Sequence, residues 1–172
     1  MAATAAWYED NGTATGSPLK GTTRAVASQV DWKSVDNIST PRASATIIAG
    51  QNSYEKFQSV RFTGTFTQIS AGKFAHTAGV PGVGITLVDK VTSTYSTPST
   101  AAMAGSTDIT SVIAIASGQT VLFNTEPQTS SPSATLAATG YTQFLVTQLK
   151  TSGATAAGAI GDIELTLQWN ET

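Results

Sequence analysis

The single histidine, His76 in the segment KFAHTAG, is the residue whose type best suits acid–base or nucleophilic chemistry. A Ser-His-Asp triad needs a histidine between an activated hydroxyl and an acid, and many hydrolases surround the nucleophile with a G-x-S-x-G turn. The sequence contains no such turn. We therefore predict that His76 is a structural residue beside Phe74 and that the protein is not an enzyme.

Metal-binding and phosphate-binding patterns are also incomplete. The segment YEDNGT (8–13) lacks the D-x-D-x-D-G spacing of a calcium loop, and an Asn-Gly turn explains it. The segment AGVPGVGITL (78–87) groups three glycines, but a strand pattern follows them where a dinucleotide site requires a helix. Cysteine is absent. The sequence predicts no catalytic residue, no metal site and no cofactor.

Carboxylates are sparse, and no motif ties any two of them together as the acid pair of a glycosidase. Nine Lys and Arg residues stand against eleven Asp and Glu residues, for a net charge of −2. A nucleic-acid binder needs a dominant basic face, so no nucleic-acid partner is predicted. No apolar run approaches the roughly 20 residues that cross a bilayer, and no membrane association is predicted either.

The elements that would position any site are short strands. Segments rich in β-branched and aromatic residues alternate with Gly, Pro, Asn and Ser clusters, as in all-β proteins. Period-2 alternation is clearest in VRFTGTFTQI (60–69) and DIELTLQW (162–169), while GYTQFLVTQLK (140–150) has apolar residues on both faces. The other predicted strands are VDWKSV (30–35), ATIIAG (45–50), VGITLVDK (83–90), TSVIAIA (110–116) and TVLFN (120–124). Eight such strands predict an antiparallel two-sheet β-sandwich, jelly-roll-like in preference to immunoglobulin-like.

Residues 1–28 differ from the remainder. They are rich in Ala, Thr and Gly with little apolar periodicity, which predicts an extended N-terminal arm followed by a β-sandwich domain over residues 29–172. The Gly/Ala-rich segment 151–161 predicts an exposed loop or second arm.

Three residues are predicted to contact a protein partner. Trp7 and Tyr8 form a large aromatic pair in an otherwise small-residue arm, and such a pair can fill a neighbour's pocket or fold back on its own domain. Arg61 alternates with Phe62 and is predicted on the solvent or subunit face. The adjacent Glu55 and Lys56 would point to opposite faces and bond backbone or cross-strand partners.

The order of these segments resembles a known group of proteins. The stretches AGQNSYEKFQSVRFTGTFTQISAGKF, GITLVDKVTSTYSTPS and GYTQFLVTQLKTSGATAAGAIGDIELTLQWNE resemble small structural proteins of tailed bacteriophages, and the resemblance covers residues 30–171. It implies a virion component, foremost a capsid decoration (cement) protein on the capsid exterior. The partners so implied are the major capsid protein and further copies of the chain, as a homotrimer.

Two other functions remain open from the sequence. A neck or tail component of a phage would show the same order and spacing of strands and loops. A carbohydrate-binding β-sandwich, such as a receptor-binding head, would present tryptophan or tyrosine on a sheet face; of the three tryptophans, Trp32 and Trp169 are predicted in the core.

Overall fold

The computed structural model describes residues 2–16, 20–129, 131–155 and 161–172. Short 3-10 turns occupy Arg42–Ser44 and Ile115–Ser117. The strands within these ranges are β1 (Thr4–Asn11), β2 (Thr23–Val26), β3 (Lys56–Thr63), β4 (Ile69–Ala78), β5 (Ile85–Thr92), β6 (Thr107–Asp108), β7 (Gln119–Val121), β8 (Phe123–Thr125), β9 (Thr135–Leu136), β10 (Gly140–Thr142), β11 (Phe144–Thr151) and β12 (Glu164–Glu171).

The strands form two antiparallel sheets. The larger has the order β2-β1-β3-β11-β5-β6, with β10 pairing to both β3 and β8; the smaller has the order β12-β4-β7, with β9 pairing to β4. Between β3 and β12 the chain passes repeatedly from one sheet to the other, as it does in jelly rolls. The predicted all-β, two-sheet sandwich is confirmed.

The main core lies between the sheets and follows from strand alternation. Val60 and Phe62 of β3 are fully buried, whereas the intervening Arg61 is partly exposed on the other face. Phe62 packs edge-on against Trp169 of β12, with ring centroids 5.1 Å apart. Further members of this cluster come from both sheets: Ile69, Phe74, Val121, Phe123, Leu136, Leu145 and Leu167.

A second apolar cluster covers the outer face of the larger sheet. Phe57, Phe144 and Val146 pack there beneath Tyr95 and Met103, which belong to the long connection between β5 and β6. This explains why β11 is apolar on both faces, as the sequence predicted.

The prediction of an extended arm over residues 1–28 is wrong for the strands that this segment contains. β1 pairs with β3 from Thr4↔Thr63 to Asp10↔Phe57, and β2 continues the sheet beyond β1. Backbone pairing with β3 and the buried polar residues Glu9, Asp10 and Asn11 hold this segment in the sheet in place of the long apolar run that the sequence lacks. Of the second predicted arm, residues 156–160 lie outside the described residues.

The two ends of the described chain meet at one end of the sandwich. The amide of Ala3 donates to Glu171 Oε1 at 2.6 Å, and the amide of Thr67 donates to the carbonyl of Thr172 at 2.7 Å. Across the ranges given above, no helix has the length and apolar character to cross a membrane.

Candidate functional site

Exposed aliphatic side chains cluster at the opposite end of the sandwich, which we call the apolar end. It comprises Ile48, Val80, Val83, Val112 and Ile113, of which Val83 is 93% exposed and Ile48 72% exposed. Val80 and Val83 lie in the loop between β4 and β5. The carbonyl of Ile48 accepts a 3.1 Å hydrogen bond from Thr151 at the end of β11, and the amide of Ile113 donates to His76 near the end of β4.

The loops of the apolar end are held by backbone contacts. Gly79 has φ +86°, and a Cβ on it would lie 1.9 Å from the carbonyl oxygen of Asp162, so only glycine fits. The amide of Ile85 donates to Gly82, and that of Ser152 donates to Gly84 at 2.8 Å. The segments 79–84 and 110–114 contain no charged residue. The exposed valines therefore lie on loop segments that contain no charged residue.

A cavity of about 840 Å³ opens beside the apolar end. Its half-buried walls are apolar: Trp7, Trp32, Ile47, Ile85, Ile163 and Leu165. The loop that carries Trp32 and Ile47 lies over the larger sheet, where the indole nitrogen of Trp32 donates to Thr147 Oγ1 at 3.0 Å. At the floor lies Gln58 of β3, which is 3% exposed.

Next to this cavity, β1 and β3 share a buried ion pair. Lys56 Nζ lies 3.0 Å from Glu9 Oε1, and both side chains are almost fully buried. Asn11 donates to the same carboxylate oxygen at 3.0 Å and to Asp36 at 2.6 Å. Every partner here is protein, so the group holds the N-terminal strand to the sheet. The cross-strand role predicted for Lys56 is confirmed, and Glu55 accepts a backbone bond from Ser99 as predicted.

The structure separates the three residues predicted at an interface. Trp7 lies on the inner face of β1, where it packs against the main core and lines the cavity. Tyr8 lies on the outer face and packs edge-on against Tyr141, with centroids 6.1 Å apart. Both fold back on their own domain, so neither is carried by a free arm. Arg61 pairs with Glu126 at 2.6 Å and lies 5.8 Å from the Tyr141 ring. A contact of Arg61 with a partner stays a prediction.

Beside Tyr8, the same outer face carries a second ion pair. Arg24 contacts both carboxylate oxygens of Asp10, at 2.9 and 3.0 Å, and donates to Gln128 at 2.6 Å. Its guanidinium lies 4.7 Å from the centre of the Tyr141 ring. Burial raises the pKa of Asp10 even though Arg24 opposes that shift.

His76 is fully buried in β4 and bonded only to backbone. Its Nδ1 lies 2.8 Å from the carbonyl oxygen of Ile109, and its Nε2 lies 2.8 Å from that of Ala78. A catalytic triad requires one ring nitrogen to bond an acid and the other to bond a hydroxyl. In His76 both nitrogens instead lie beside backbone carbonyl oxygens. The described residues also contain no group of three or more His, Cys, Asp and Glu side chains that could hold a metal ion.

Two further carboxylates have raised pKa values because they are buried. Asp89 of β5 accepts a bond from Gln119 of β7, and burial raises its pKa from 3.8 to about 6. Burial also raises the pKa of Glu55, against the opposing effect of the Ser99 amide. Asp89 and Glu55 do not share a site, so their shifts reflect burial within the fold.

Sequence reasoning missed Gln58 and the apolar end. Gln58 looked like one polar residue of a strand, and only the three-dimensional arrangement places it at a cavity floor. The valines of GVPGVG were a usable signal, because two β-branched residues in a glycine-rich turn have no strand to bury them. No protein-family model, no curated protein and no solved structure matches the chain.

Proposed function

We propose that the chain is a non-enzymatic structural protein of a phage particle, a capsid decoration protein that binds the major capsid protein on the outside of the shell. The observation that carries this proposal is the apolar end, with its five exposed aliphatic side chains on adjoining loops. Exposed apolar surface of this kind marks protein–protein contacts. The resemblance of residues 30–171 to phage structural proteins supplies the class of partner.

The scarcity of charge supports a role in assembly. Transferring an unpaired charge into an interface costs free energy, and interface centres are accordingly depleted of charged residues. The loops 79–84 and 110–114 contain only Gly, Val, Pro, Thr, Ser, Ile and Ala. They can be desolvated against a shell without burying an ionised group of their own.

Binding to purified particles that lack the protein tests this proposal. A V83D/V112D variant should lose particle occupancy in co-sedimentation, because docking would bury two new carboxylates. Its melting temperature should stay within a few degrees of that of the unsubstituted chain, since both side chains are exposed.

The matched control is V26D. Val26 is also exposed but lies on β2 at the edge of the larger sheet, so particle binding should be unaffected. Equal binding by V83D/V112D and the unsubstituted chain would exclude docking through the apolar end.

The alternative is a neck or tail component, and copy number separates the two. A decoration protein should approach the number of shell subunits, whereas a neck or tail protein should be present in few copies per particle. The molar mass of the free chain in solution tests the proposed homotrimer.

A further inference from the structure

Gln58 is a polar side chain that lines the floor of an apolar cavity. It is 97% buried, yet its side-chain amide has no hydrogen-bond partner among the residues that the structure describes. A carboxamide offers two N–H donors and a carbonyl acceptor, and buried groups of this kind are normally bonded. The floor of the cavity therefore presents a donor and an acceptor side by side that no described protein group pairs with.

The cavity walls select a ligand with apolar surface. Trp7 and Trp32 line it together with aliphatic side chains, and the volume of about 840 Å³ lies within the range of small-molecule sites. The flat rings of tryptophan are suited to packing against the faces of sugar rings. Because Trp32 is fixed through its indole nitrogen to Thr147, this part of the wall is already formed without a ligand.

The charge distribution selects a neutral ligand. The charged residues that line the cavity, Arg42, Asp162 and Glu164, are all exposed at its mouth. Arg42 is already paired with Asp31. Two carboxylates at the mouth disfavour phosphates and other anions, and nothing at the floor would pair with a cation.

We propose that this cavity binds a neutral saccharide that carries an acetamido group, as in the N-acetylhexosamines. An acetamido group has one N–H donor, one carbonyl acceptor and a methyl group. The donor and acceptor match the amide of Gln58, the methyl group fits the apolar wall, and the sugar ring packs against tryptophan. The cavity shares Ile48 with the apolar end, but saccharide binding by the free chain does not depend on the proposed docking to a shell, and either proposal can fail without the other.

Calorimetric titration of the free chain tests the proposal with two matched trisaccharides. N,N′,N″-Triacetylchitotriose, here called chitotriose, carries acetamido groups, and cellotriose is the corresponding glucose trimer without them. We expect chitotriose to bind and to change the tryptophan fluorescence, with cellotriose at least tenfold weaker, since one lost amide pair amounts to about that factor. The free chain is used because Ile48 lies both in the cavity lining and at the apolar end.

The diagnostic variant is Q58L, which removes the amide while keeping an apolar side chain of similar size. It should weaken chitotriose binding about tenfold without loss of stability, because the amide it removes has no partner. The matched control, Q168L, changes an exposed glutamine of β12 outside the cavity and should leave binding unchanged.

Three results would overturn the proposal: no chitotriose binding, equal binding of both trisaccharides, or chitotriose binding unaffected by Q58L. An apolar peptide, N-acetyl-Ala-Ala-amide, is titrated in parallel because its backbone offers the same amide chemistry. Binding of this peptide in place of chitotriose would assign the cavity to a polypeptide segment and would equally overturn it.

Discussion

Asp89 lies between the two sheets with only one of its carboxylate oxygens paired, to Gln119, while Oδ2 has no partner in the structure. His76 lies in the same core with both ring nitrogens engaged. These two buried residues are where single side chains most directly control stability. Their contributions differ, because Asp89 is incompletely paired whereas each ring nitrogen of His76 lies 2.8 Å from a backbone carbonyl oxygen.

Asp89 should make the protein less stable as the pH rises. Its pKa is raised from 3.8 to about 6, so the folded state binds the proton more tightly than the unfolded state. The stabilisation by protonation is therefore present below about pH 4 and is lost as the pH rises through about 6, to a total of about 3 kcal/mol. Urea unfolding of D89N and the unsubstituted chain at several pH values measures this difference.

We expect D89N to gain stability relative to the unsubstituted chain between pH 4 and 7. The control is D108N: hydrogen bonds from Thr110 lower the pKa of Asp108, so its effect on stability should be nearly constant from pH 4 to 7 and should change only below about pH 4. A stability difference for D89N that does not vary with pH would contradict the assignment.

Replacing His76 should destabilise the fold. The variant H76L removes the imidazole N–H, so a buried carbonyl of Ile109 or Ala78 that accepts from it loses its donor, at a cost of about 1–3 kcal/mol. The loss should appear as a lower urea midpoint with an unchanged denaturant slope. H76Q keeps a donor and should lose less stability; equal losses for both variants would mean that packing, not hydrogen bonding, explains the effect.

At the scale of elements, the buried pair Glu9–Lys56 joins β1 to β3. Single replacement by K56M leaves the carboxylate of Glu9 buried without its cation, and we expect a loss of about 3–5 kcal/mol. The double variant E9L/K56M removes both charges and should recover most of that loss. A double-mutant cycle from urea unfolding measures the coupling, and near-additive effects would show that the pair does not act as a unit.

Strands were predictable from sequence where alternate side chains face the core and the remainder face solvent. β5, β11 and β12 follow the predicted segments closely. The segment VRFTGTFTQI (60–69), predicted as one strand, instead holds the end of β3, a turn and the first residue of β4, and the remainder of β4 was not predicted. The segment TSVIAIA (110–116) was predicted as a strand but is a loop that leads into the 3-10 turn Ile115–Ser117. The segments VDWKSV and ATIIAG were also predicted as strands but form no named strand. They run over the larger sheet, where Trp32 and Ile47 pack beside Leu87 and Leu149. The apolar residues of these segments belong to a loop that packs against the sheet. A short alternating pattern does not distinguish such a loop from a strand.

The cavity was harder to predict from sequence than the strands, because residues far apart in the chain form it. The cavity unites Trp7 of β1, Trp32 of a loop and Gln58 of β3, and no local pattern links these positions. Nor does composition reveal that the side chain of Glu9 on β1 reaches that of Lys56 on β3. The prediction for Glu55 and Lys56 succeeded because opposite faces follow directly from strand geometry.

At the scale of the whole molecule, the N-terminal segment is an internal part of the larger sheet. Deleting residues 1–12 would remove β1 from between β2 and β3, uncover the apolar side of β3 and leave Lys56 without Glu9. We expect the truncated chain to lose its cooperative thermal transition, as measured by circular dichroism. Removal of residues 1–2, which precede β1, is the control and should leave the transition intact. If the truncated chain kept this transition, the segment 1–12 would be dispensable for folding, as the predicted N-terminal arm would be.

The hydrogen bond between the Ala3 amide and Glu171 places both ends of the described chain at one end of the sandwich, opposite the apolar end. Strand β4 runs its full ten residues from the end that holds both chain ends to the end that carries Val80 and Val83. If the valines face the shell, a fusion to either terminus projects outward from the particle. Proteins fused to both ends of this chain would then be displayed on the particle without blocking its attachment to the shell.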